Sequence, residues 1–377
     1  MLYLLNMSYI TAIGIATPLH RFSQPTIAEF MLRAMKLNNG DGRKLKTVFR
    51  ASGIKYRYSV LEDYGRTKDF TFYPDTFDLE PFPGTEKRLQ IFRKHALKLS
   101  LASFIDMKES YPDLNVNSIT HVIVVCCTGM YAPGLDIDLV TALKLPSTVE
   151  RTAINFMGCH AAFNALKVAD AWCRSKEDAK VLVVCTELCS LHFQRAATDD
   201  NFLANALFAD GSASLLVENS SDSQLKLKME DFHSDLSTEG LSDMAWTIGD
   251  VGFEMRLSSY IPDLIRKEIS GLTDSLLKKI SASLSDIDHF AIHPGGLKIL
   301  QVIEEELKID KKQNEAAYHV LKNYGNMSSP TVLFVLKEVL GKLTDANHGE
   351  RILSVAFGPG LTMESMILRI ENTRHNA

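Results

Sequence analysis

The sequence predicts an α/β fold in which a parallel or mixed sheet is buried under helices. Short apolar segments rich in β-branched residues alternate along the chain with segments of helical period, which is typical of such a sheet. The two halves of the chain also repeat one order of elements: an apolar strand, a glycine-containing turn that opens a helix, and a second apolar strand. We therefore expect a duplicated unit whose strand ends meet near a shared centre, where α/β folds bind ligands.

Seven internal strands and four helices follow from the local patterns. A predicted strand is a short apolar run that ends in turn residues, and a predicted helix has apolar residues three and four positions apart. The predicted strands are residues 121–127, 152–156, 180–185, 212–217, 290–293, 351–356 and 363–370, and the predicted helices are residues 158–174, 263–284, 297–307 and 330–340.

The apolar N-terminal segment, residues 1–18, predicts a first buried strand. It carries no Lys or Arg before Arg21, whereas a signal peptide needs a positively charged start. The polar residues 218–225 are the best candidate for a boundary, so we expect an N-terminal half at 1–220 and a C-terminal half at 221–377.

Composition argues against several classes of protein. Of the 377 residues, 46% are hydrophobic and 23% are charged, which is unlike a disordered, collagenous or coiled-coil chain. The net charge of −5 argues against a dedicated nucleic-acid-binding protein. No apolar run approaches the roughly 18 residues of a membrane-spanning helix. The six cysteines are too few and too clustered for a disulfide framework, which predicts reduced thiols and a cytoplasmic protein.

Cys159 is the first candidate for chemistry. It lies where a predicted strand turns through Gly158 into an alanine-rich helix. Unpaired backbone N–H groups at a helix N-terminus stabilise a thiolate, so we expect a lowered pKa for the Cys159 thiol and a nucleophilic role. The alternative is a small residue that only packs at the start of a helix.

Two further candidates lie at corresponding junctions in the second half. His293 closes a predicted strand and precedes a Pro-Gly-Gly turn at 294–296, which lets a ligand approach the backbone. Asn326 lies just before the predicted helix at 330–340, where it either caps the helix or donates its amide into the same site. Together with Cys159, these residues form a set of nucleophile, base and donor.

This set suits acyl transfer to a thiol, followed by stabilisation of an enolate or oxyanion by two N–H donors. A cysteine hydrolase is an alternative, because papain-like proteases also combine Cys, His and Asn. Their cysteine lies near the mature N-terminus in a different local signature, which this sequence lacks. The residues therefore favour acyl transfer.

Several motifs in order resemble the type III polyketide synthases, the chalcone synthase-like family. Two of them, TELCSLHFQ and ALFADGSAS, are typical of the bacterial branch. The resemblance covers roughly residue 50 to the C-terminus, and it implies a thiolase fold with a duplicated, five-layered αβαβα architecture in a homodimer. The other motifs are GCHAAFNAL around Cys159, AIHPGG around His293, YGNMSSPTVLFVL around Asn326 and FGPGLTMES at 357–365.

The resemblance implies a role for each of the three chemical residues. Cys159 would take the starter acyl group from an acyl-CoA and form an ion pair with His293. His293 and Asn326 would hold the thioester carbonyl of malonyl-CoA while it loses CO₂, and the resulting enolate would attack the Cys159 thioester. The product would be of the pyrone, resorcinol or phloroglucinol type. Coenzyme A thioesters are the substrates, and neither a tightly bound cofactor nor a metal is implied.

The resemblance also implies a cavity and a coenzyme A site. Phe208 matches a phenylalanine at the junction of the coenzyme A tunnel and the cavity, and Phe253 matches a second one. His192 stands where chalcone synthases carry Thr, which argues against a coumaroyl-type starter. The other expected cavity residues are Thr128, Cys189, Phe357, Gly358, Pro359 and Gly360, and the expected coenzyme A contacts are Arg50, Lys55, Gly295 and Gly296.

Two related condensing enzymes and one unrelated class remain as alternatives. Ketoacyl-ACP synthase III resembles this site but has Gln-Ala-Asn after its histidine. HMG-CoA synthase adds a general-base Glu, for which Glu187 is the candidate, although we interpret Glu187 as a buried structural carboxylate. A zinc-binding protein is the third alternative, because Cys185, Cys189 and His192 have nearly ligand-like spacing.

Overall fold

The computed structural model describes residues 7–76, 78–219, 225–241 and 243–372. Within these residues the strands form one nine-stranded sheet and two small two-stranded sheets. The strands are β1 (Tyr9–Ala16), β2 (His20–Ser23), β3 (Tyr56–Ser59), β4 (His121–Cys126), β5 (Glu150–Asn155), β6 (Lys180–Leu188), β7 (Asp210–Glu218), β8 (Leu225–Leu236), β9 (Met244–Gly249), β10 (Gly252–Leu257), β11 (His289–Ile292), β12 (Arg351–Gly358) and β13 (Thr362–Asn372).

The nine-stranded sheet is mixed, in agreement with the sequence pattern. Its strand order is β11-β12-β13-β8-β1-β7-β6-β4-β5. β4 pairs in parallel with β5 and β6, and β11 pairs in parallel with β12, whereas the other neighbours are antiparallel. The two half-sheets join where Tyr9 and Ile10 of β1 pair with β8. All seven predicted internal strands form strands of this sheet.

Helices cover both faces of each half-sheet. Among the described residues they are α1 (Gln24–Ala34), α2 (Asn39–Ala51), α3 (Thr85–Ser110), α4 (Leu135–Ala142), α5 (Ala161–Ser175), α6 (Asp199–Leu207), α7 (Ile261–Lys279), α8 (Leu297–Leu307), α9 (Glu315–Tyr324) and α10 (Thr331–Leu340). α3 packs on β1, β6 and β7, α5 and α10 lie between the half-sheets, and α7 covers β8 and β13. This order of helix, sheet, helix, sheet and helix confirms the predicted five layers.

The long helix α3 was not predicted, because its buried face is not uniformly apolar. Ser103 on that face forms side-chain hydrogen bonds with Ser212 at 2.9 Å and Ser214 at 2.7 Å. Gly14 of β1 makes this close packing possible, since a Cβ there would overlap the backbone of Met107. The contact therefore depends on a residue about 90 positions away in the chain, which a local pattern does not report.

Several predicted boundaries differ from the structure. α5 begins at Ala161 and not at 158, because Gly158 has a φ of 87°, which a helix does not accommodate. α7 ends at Lys279 rather than at 284, and Ser281 follows it with a φ of 53°. The strand at the N-terminus is β1, and residues 1–6 lie outside the described part of the chain. The predicted division at 220/221 also lies outside the described residues, in the segment 220–224.

Strand β5 is also less buried than its sequence indicates. Its residues alternate between exposed and half-buried positions, because β5 is the last strand of the sheet and pairs only with β4. None of the described helices is both long enough and apolar enough to cross a membrane.

Candidate active site

A cavity of about 420 Å³ opens where the strand ends of the two halves meet. Its wall includes residues that follow the carboxyl ends of the parallel strands β4, β5, β6, β11 and β12. Cys159, His293 and Asn326 all lie in this wall. The structure therefore brings together the three side chains that the sequence proposes for chemistry, two from one half and one nucleophile from the other.

The turn that carries Cys159 is held from the other half of the molecule. After β5 the backbone adopts a positive φ at Phe156 (63°) and at Gly158 (87°) before α5 begins. A Cβ at Gly158 would overlap Pro359, and a Cβ at Gly358 would overlap the ring of His160. Both glycines are needed because the turn after β12 packs directly against the nucleophile turn on each side of Cys159.

Burial controls the protonation of Cys159. The residue is 8% exposed, and its Sγ lies 3.9 Å from Oδ1 and 4.0 Å from Nδ2 of Asn326. Burial raises the pKa of the Cys159 thiol to about 11, although a hydrogen bond with Ser328 acts in the opposite direction. The expected lowering of this pKa is therefore wrong. α5 begins two residues later, and desolvation of the thiolate outweighs the helix terminus.

His293 follows β11 and presents a neutral imidazole. Its backbone N–H donates to the carbonyl oxygen of Val355 at 2.8 Å, which ties the residue to β12. Burial lowers the pKa of His293 to about 3, and neither ring nitrogen has a hydrogen-bond partner among the described residues. Burial therefore favours the neutral form of both Cys159 and His293, which is the opposite of the expected ion pair.

Asn326 is fixed by its backbone and by one side-chain contact. Its N–H donates to the carbonyl oxygen of Leu207 at 2.9 Å, and its own carbonyl accepts the N–H of Ala209 at 2.8 Å. The side-chain Oδ1 accepts the N–H of Ser328 at 2.8 Å, whereas Nδ2 makes long contacts, at 3.4 Å with the carbonyl oxygen of Gly295 and at 4.0 Å with Sγ of Cys159. The amide N–H groups are therefore the part of Asn326 that remains available to a ligand.

The two predicted phenylalanines occupy different positions. Phe208 lines the cavity, as expected. Phe253 is 1% exposed and lies behind the wall, where its ring stacks on His192 with centroids 4.2 Å apart and planes 6° apart. It is His192 that contributes to the wall at this point, together with Thr128 and Cys189.

His192 is held as one neutral tautomer. Its Nε2–H donates to the backbone oxygen of Thr128 at 2.7 Å, and its Nδ1 accepts the N–H of Phe253 at 3.0 Å. Burial lowers the pKa of His192 to about 3. Both nitrogens are engaged with backbone, so His192 is not placed to act as a zinc ligand. The described residues contain no group of three His, Cys, Asp or Glu side chains that is arranged to hold a metal ion.

Glu187 joins the two halves behind the cavity. Its carboxylate accepts hydrogen bonds from the backbone N–H of Cys127, from Thr128 at 2.7 Å and from Ser329 at 2.8 Å. Burial raises the pKa of Glu187 to about 7, and these hydrogen bonds limit the rise. Glu187 is not among the residues that line the cavity. These contacts support a structural carboxylate over the general base of the HMG-CoA synthase alternative.

The turn at 357–360 contributes only part of its length to the cavity. Phe357 and Pro359 line the wall, whereas Gly358 lies against His160 and Gly360 lies near Leu241. The role of the two glycines is therefore in the packing of the turn and not in direct contact with the cavity.

The entrance differs from the expected one. Gly295 and Gly296 line the cavity, but Arg50 and Lys55 are exposed and lie outside its wall. Lys298, in the first turn of α8, is the exposed cation that does line it. A basic residue two positions after the second glycine of the turn was the available signal for Lys298.

Arg57 was also missed. It lines the cavity although it is only 4% exposed. Its position in β3, where buried residues alternate with half-buried ones, places it on the inner face of that strand. In the sequence Arg57 lies among other Arg and Lys residues, so it was interpreted as part of an exposed basic cluster and not as a buried position of an alternating strand.

Comparison with known proteins assigns the family. The family profile for the N-terminal domain of chalcone and stilbene synthases matches residues 6–221, and the profile for their C-terminal domain matches residues 233–371. The chain is 31% identical over 373 residues to the Dictyostelium discoideum protein named "Probable polyketide synthase 1", covering 97% of this chain but 11% of that much longer relative. It is 29% identical over 370 residues to "Alpha-pyrone synthesis polyketide synthase-like Pks18" of Mycobacterium tuberculosis, covering 97% of this chain and 92% of the relative.

A solved structure agrees with these matches. The C-terminal type III polyketide synthase domain of Steely1, a type I/III hybrid from Dictyostelium, superposes with a TM-score of 0.88 at 28% identity. The superposition covers 97% of this chain and 99% of that domain. The chain therefore has the thiolase-like fold and belongs to the chalcone and stilbene synthase family, the type III polyketide synthases.

Proposed function

We propose that the protein loads an acyl group from an acyl-CoA starter onto Cys159 and extends it with malonyl-CoA by decarboxylative Claisen condensation. The chain then cyclises to a pyrone, resorcinol or phloroglucinol-type product. One observation carries the proposal: one mostly apolar cavity holds a cysteine, an imidazole whose two nitrogens have no partner among the described residues, and an amide whose Nδ2 makes only long contacts there. An alternative is a ketoacyl-ACP synthase III-like enzyme, which would stop after one condensation.

Loading requires deprotonation of the Cys159 thiol. His293 is neutral and has free ring nitrogens, so it can accept that proton as the sulfur attacks the thioester carbonyl of the starter. The new thioester bond forms at Cys159, the bond to the coenzyme A sulfur breaks, and the leaving thiolate takes up the proton. The thiolate–imidazolium pair is then a transient of the reaction and not the resting state.

Extension requires stabilisation of an oxyanion. The carbonyl oxygen of malonyl-CoA would accept hydrogen bonds from His293 and from Nδ2 of Asn326, whose Oδ1 is already held by Ser328. Loss of CO₂ leaves the electron pair on the enolate, whose carbon forms the new bond to the thioester carbonyl carbon. The bond from that carbon to Sγ of Cys159 breaks, and Cys159 leaves as the thiolate. No base is needed to form this carbanion, and the described residues of the cavity wall include no Asp or Glu.

The cavity wall favours an apolar starter. Thr128 donates to Glu187 at 2.7 Å and accepts the N–H of Leu188 at 2.9 Å. Ser190 donates to Asp210 at 2.6 Å, and both nitrogens of His192 are engaged with backbone. With its inner polar groups already paired, the wall offers little to a hydroxylated acyl group, which would lose its bonds to water without replacement.

Three further parts of the proposal concern substrate entry, assembly and location. Coenzyme A would lie along Gly295 and Gly296, with Arg50, Lys55 and Lys298 near its phosphates. A homodimer is supported by the exposed apolar side chains of Met130 and Met157. All six cysteines are free thiols, which agrees with a cytoplasmic protein.

The test is incubation of the purified protein with malonyl-CoA and a panel of aliphatic and hydroxylated aromatic acyl-CoA starters, with product masses as readout. We expect cyclised products with two or more added two-carbon units and a preference for aliphatic starters. Cys159→Ala should abolish loading and product while leaving some malonyl-CoA decarboxylation. Cys173→Ala is the matched control, since Cys173 is buried in α5 away from the cavity. Product from Cys159→Ala would refute the proposal, and a single extension would support the ketoacyl synthase alternative.

A further inference from the structure

Arg57 occupies a buried corner between the segment that carries Phe208 and the segment that carries Asn326. It belongs to β3, is 4% exposed and contributes to the cavity wall. Burial lowers the pKa of Arg57 to about 10, so the guanidinium is a cation at neutral pH. None of the described ion pairs includes it, and its Nη2 has no hydrogen-bond partner among the described residues. Burial of a cation with an unpaired hydrogen-bond donor lowers the stability of the folded state, which indicates that Arg57 has a role beyond packing.

The guanidinium holds the end of α6. Nη1 donates to the backbone oxygen of Phe208 at 2.6 Å, and Nε donates to Oε1 of Gln24 at 2.9 Å. Gln24 in turn donates through Nε2 to the backbone oxygen of Ala206 at 2.7 Å. The end of α6 and the phenylalanine that follows it are therefore attached to β3 and α1 through two linked side chains, Arg57 and Gln24.

The same side chain supports Asn326 from below. Gly325 has a φ of 73°, and a Cβ there would lie 2.9 Å from Cγ of Arg57, so the arginine stem fills the space that a side chain would need. Asn326 is tied to the Phe208 segment by the two backbone hydrogen bonds with Leu207 and Ala209. Phe208 and Asn326 thus form one bridged unit that rests on Arg57.

The charge of Arg57 is balanced at a distance. Asp210 interacts electrostatically with it, but the Asp210 carboxylate accepts its hydrogen bonds from Val60 at 2.8 Å and from Ser190. Phe49 lies 5.5 Å from the guanidinium carbon and covers its face. The guanidinium therefore donates its hydrogen bonds to the backbone oxygen of Phe208 and the amide oxygen of Gln24. Because the guanidinium is planar, these bonds fix angles as well as distances.

We propose that Arg57 is a positioning residue for condensation. It holds Phe208, at the cavity wall, and the Asn326 amide at fixed positions relative to each other. The inference rests on the proposed function. Starter loading needs Cys159 and His293, neither of which contacts Arg57, whereas malonyl-CoA decarboxylation needs the Asn326 donor. Displacement of a reacting group by about 1 Å is enough to slow a reaction about 100-fold. Loss of Arg57 should therefore separate the two half-reactions.

The experiment measures two rates in the full-length protein. One is acylation of Cys159 by an aliphatic acyl-CoA, followed by intact mass, and the other is decarboxylation of malonyl-CoA without starter, followed as acetyl-CoA. In Arg57→Met we expect decarboxylation to fall by about 10- to 100-fold through kcat, while acylation changes by less than about 3-fold. Arg57→Lys should recover only part of the loss, because an ammonium does not reproduce the fork.

The controls separate positioning from general damage. Arg174→Met is the matched arginine control, since Arg174 pairs with Asp170 at the end of α5 and lies outside the cavity wall. Gln24→Leu removes the hydrogen-bond acceptor of Arg57 Nε without altering charge. It should lower the decarboxylation rate more than the acylation rate, as in Arg57→Met but by a smaller factor. This variant tests the inference even if Arg57→Met does not fold. Equal losses in both rates, or no loss in either, would overturn the inference. A wild-type protein without either activity would instead refute the proposed function.

Discussion

Cys159, His293 and Asn326, the candidate catalytic residues of the cavity, are at most 8% exposed, whereas Lys298 on its wall and Arg50 and Lys55 outside the wall are exposed. Each of the three candidate residues follows a strand or precedes a helix, and backbone hydrogen bonds fix the positions of His293 and Asn326. Of the three cations, Arg50 and Lys298 lie on helices and Lys55 lies in the loop before β3.

We expect the two groups of residues to respond differently to substitution. A donor fixed in a water-excluded site acts on a developing charge with little reorganisation, so its loss costs several kcal/mol, about 3 for one oxyanion donor. An exposed cation is screened by water and salt and must be ordered to bind, so its loss costs about 1 kcal/mol or less. Under the proposed function, the chemistry would depend on single buried residues and substrate capture on several exposed cations.

The largest effect is expected for Asn326→Ala. Removal of the amide donor should lower the kcat of malonyl-CoA decarboxylation by about 100- to 1000-fold, while starter acylation of Cys159 remains close to wild type. Both rates are measured by mass spectrometry. Asn323→Ala, three residues earlier on α9, is the control, because its side chain contacts only His319. If the two asparagine variants behave alike, the assigned role of Asn326 is wrong.

The next effect is on the free energy of unfolding and concerns Glu187, which lies behind the cavity. The folded-state pKa of Glu187 is raised from 4.5 to about 7, so the native state binds the proton more tightly than the unfolded chain. The stability from this group is present below about pH 4.5 and is lost as the pH rises through about 7, an amount of about 3 kcal/mol. Relative to wild type, Glu187→Gln should gain that amount across this window.

Chemical denaturation at a series of pH values measures this difference. The buried histidines titrate in both proteins, so their contribution cancels in the comparison. A wild-type and a Glu187→Gln curve that run parallel between pH 4.5 and 7 would show that the Glu187 carboxyl is not perturbed in the fold.

A tenfold effect per pH unit is expected for the alkylation of Cys159. With the thiol pKa raised to about 11, the rate of inactivation by iodoacetamide should rise about tenfold per pH unit above neutrality. The rate is followed by residual activity and by intact mass. Cys159→Ala identifies labelling at other cysteines. A rate that is constant between about pH 6 and 9 would show a resting thiolate–imidazolium pair with His293 instead.

The smallest effect is expected at the entrance. Lys298→Ala should raise the KM for acyl-CoA by about 2- to 5-fold without a change in kcat, and the difference should shrink at high salt. Lys312→Ala, an exposed lysine outside the cavity wall, serves as control. Arg50→Ala and Lys55→Ala should have smaller effects than Lys298→Ala, since neither residue lines the cavity. An effect of any of these on kcat would contradict the separation of the two groups of residues.

The meeting of the three candidate catalytic residues in one cavity was predictable because each stands at a junction that is visible in the local sequence. Cys159 and His293 follow apolar runs that end in glycine-containing turns, and Asn326 precedes an apolar helix. Side chains at such junctions lie at one edge of an α/β sheet, so their meeting follows from topology. Phe253 was not predictable in this way, because its neighbour in space, His192, is 61 residues away and decides which of the two rings faces the cavity.

Electrostatics and the entrance were predicted less well. The sequence places Cys159 at a helix start but does not report how much surrounding structure removes water from the thiol, and that burial reverses the direction of its pKa shift. Arg57 appears in the sequence as one of several basic residues, and only the fold separates this buried arginine from the exposed Arg50 and Lys55.

Periodicity and short motifs were enough to predict the α/β class, a parallel or mixed sheet, the three candidate catalytic residues and the family resemblance. The effect of burial on Cys159 and His293, the tautomer of His192 and the support of Asn326 by Arg57 emerged from the folded structure alone, because desolvation and hydrogen-bond geometry depend on groups that are distant in the chain and close in space.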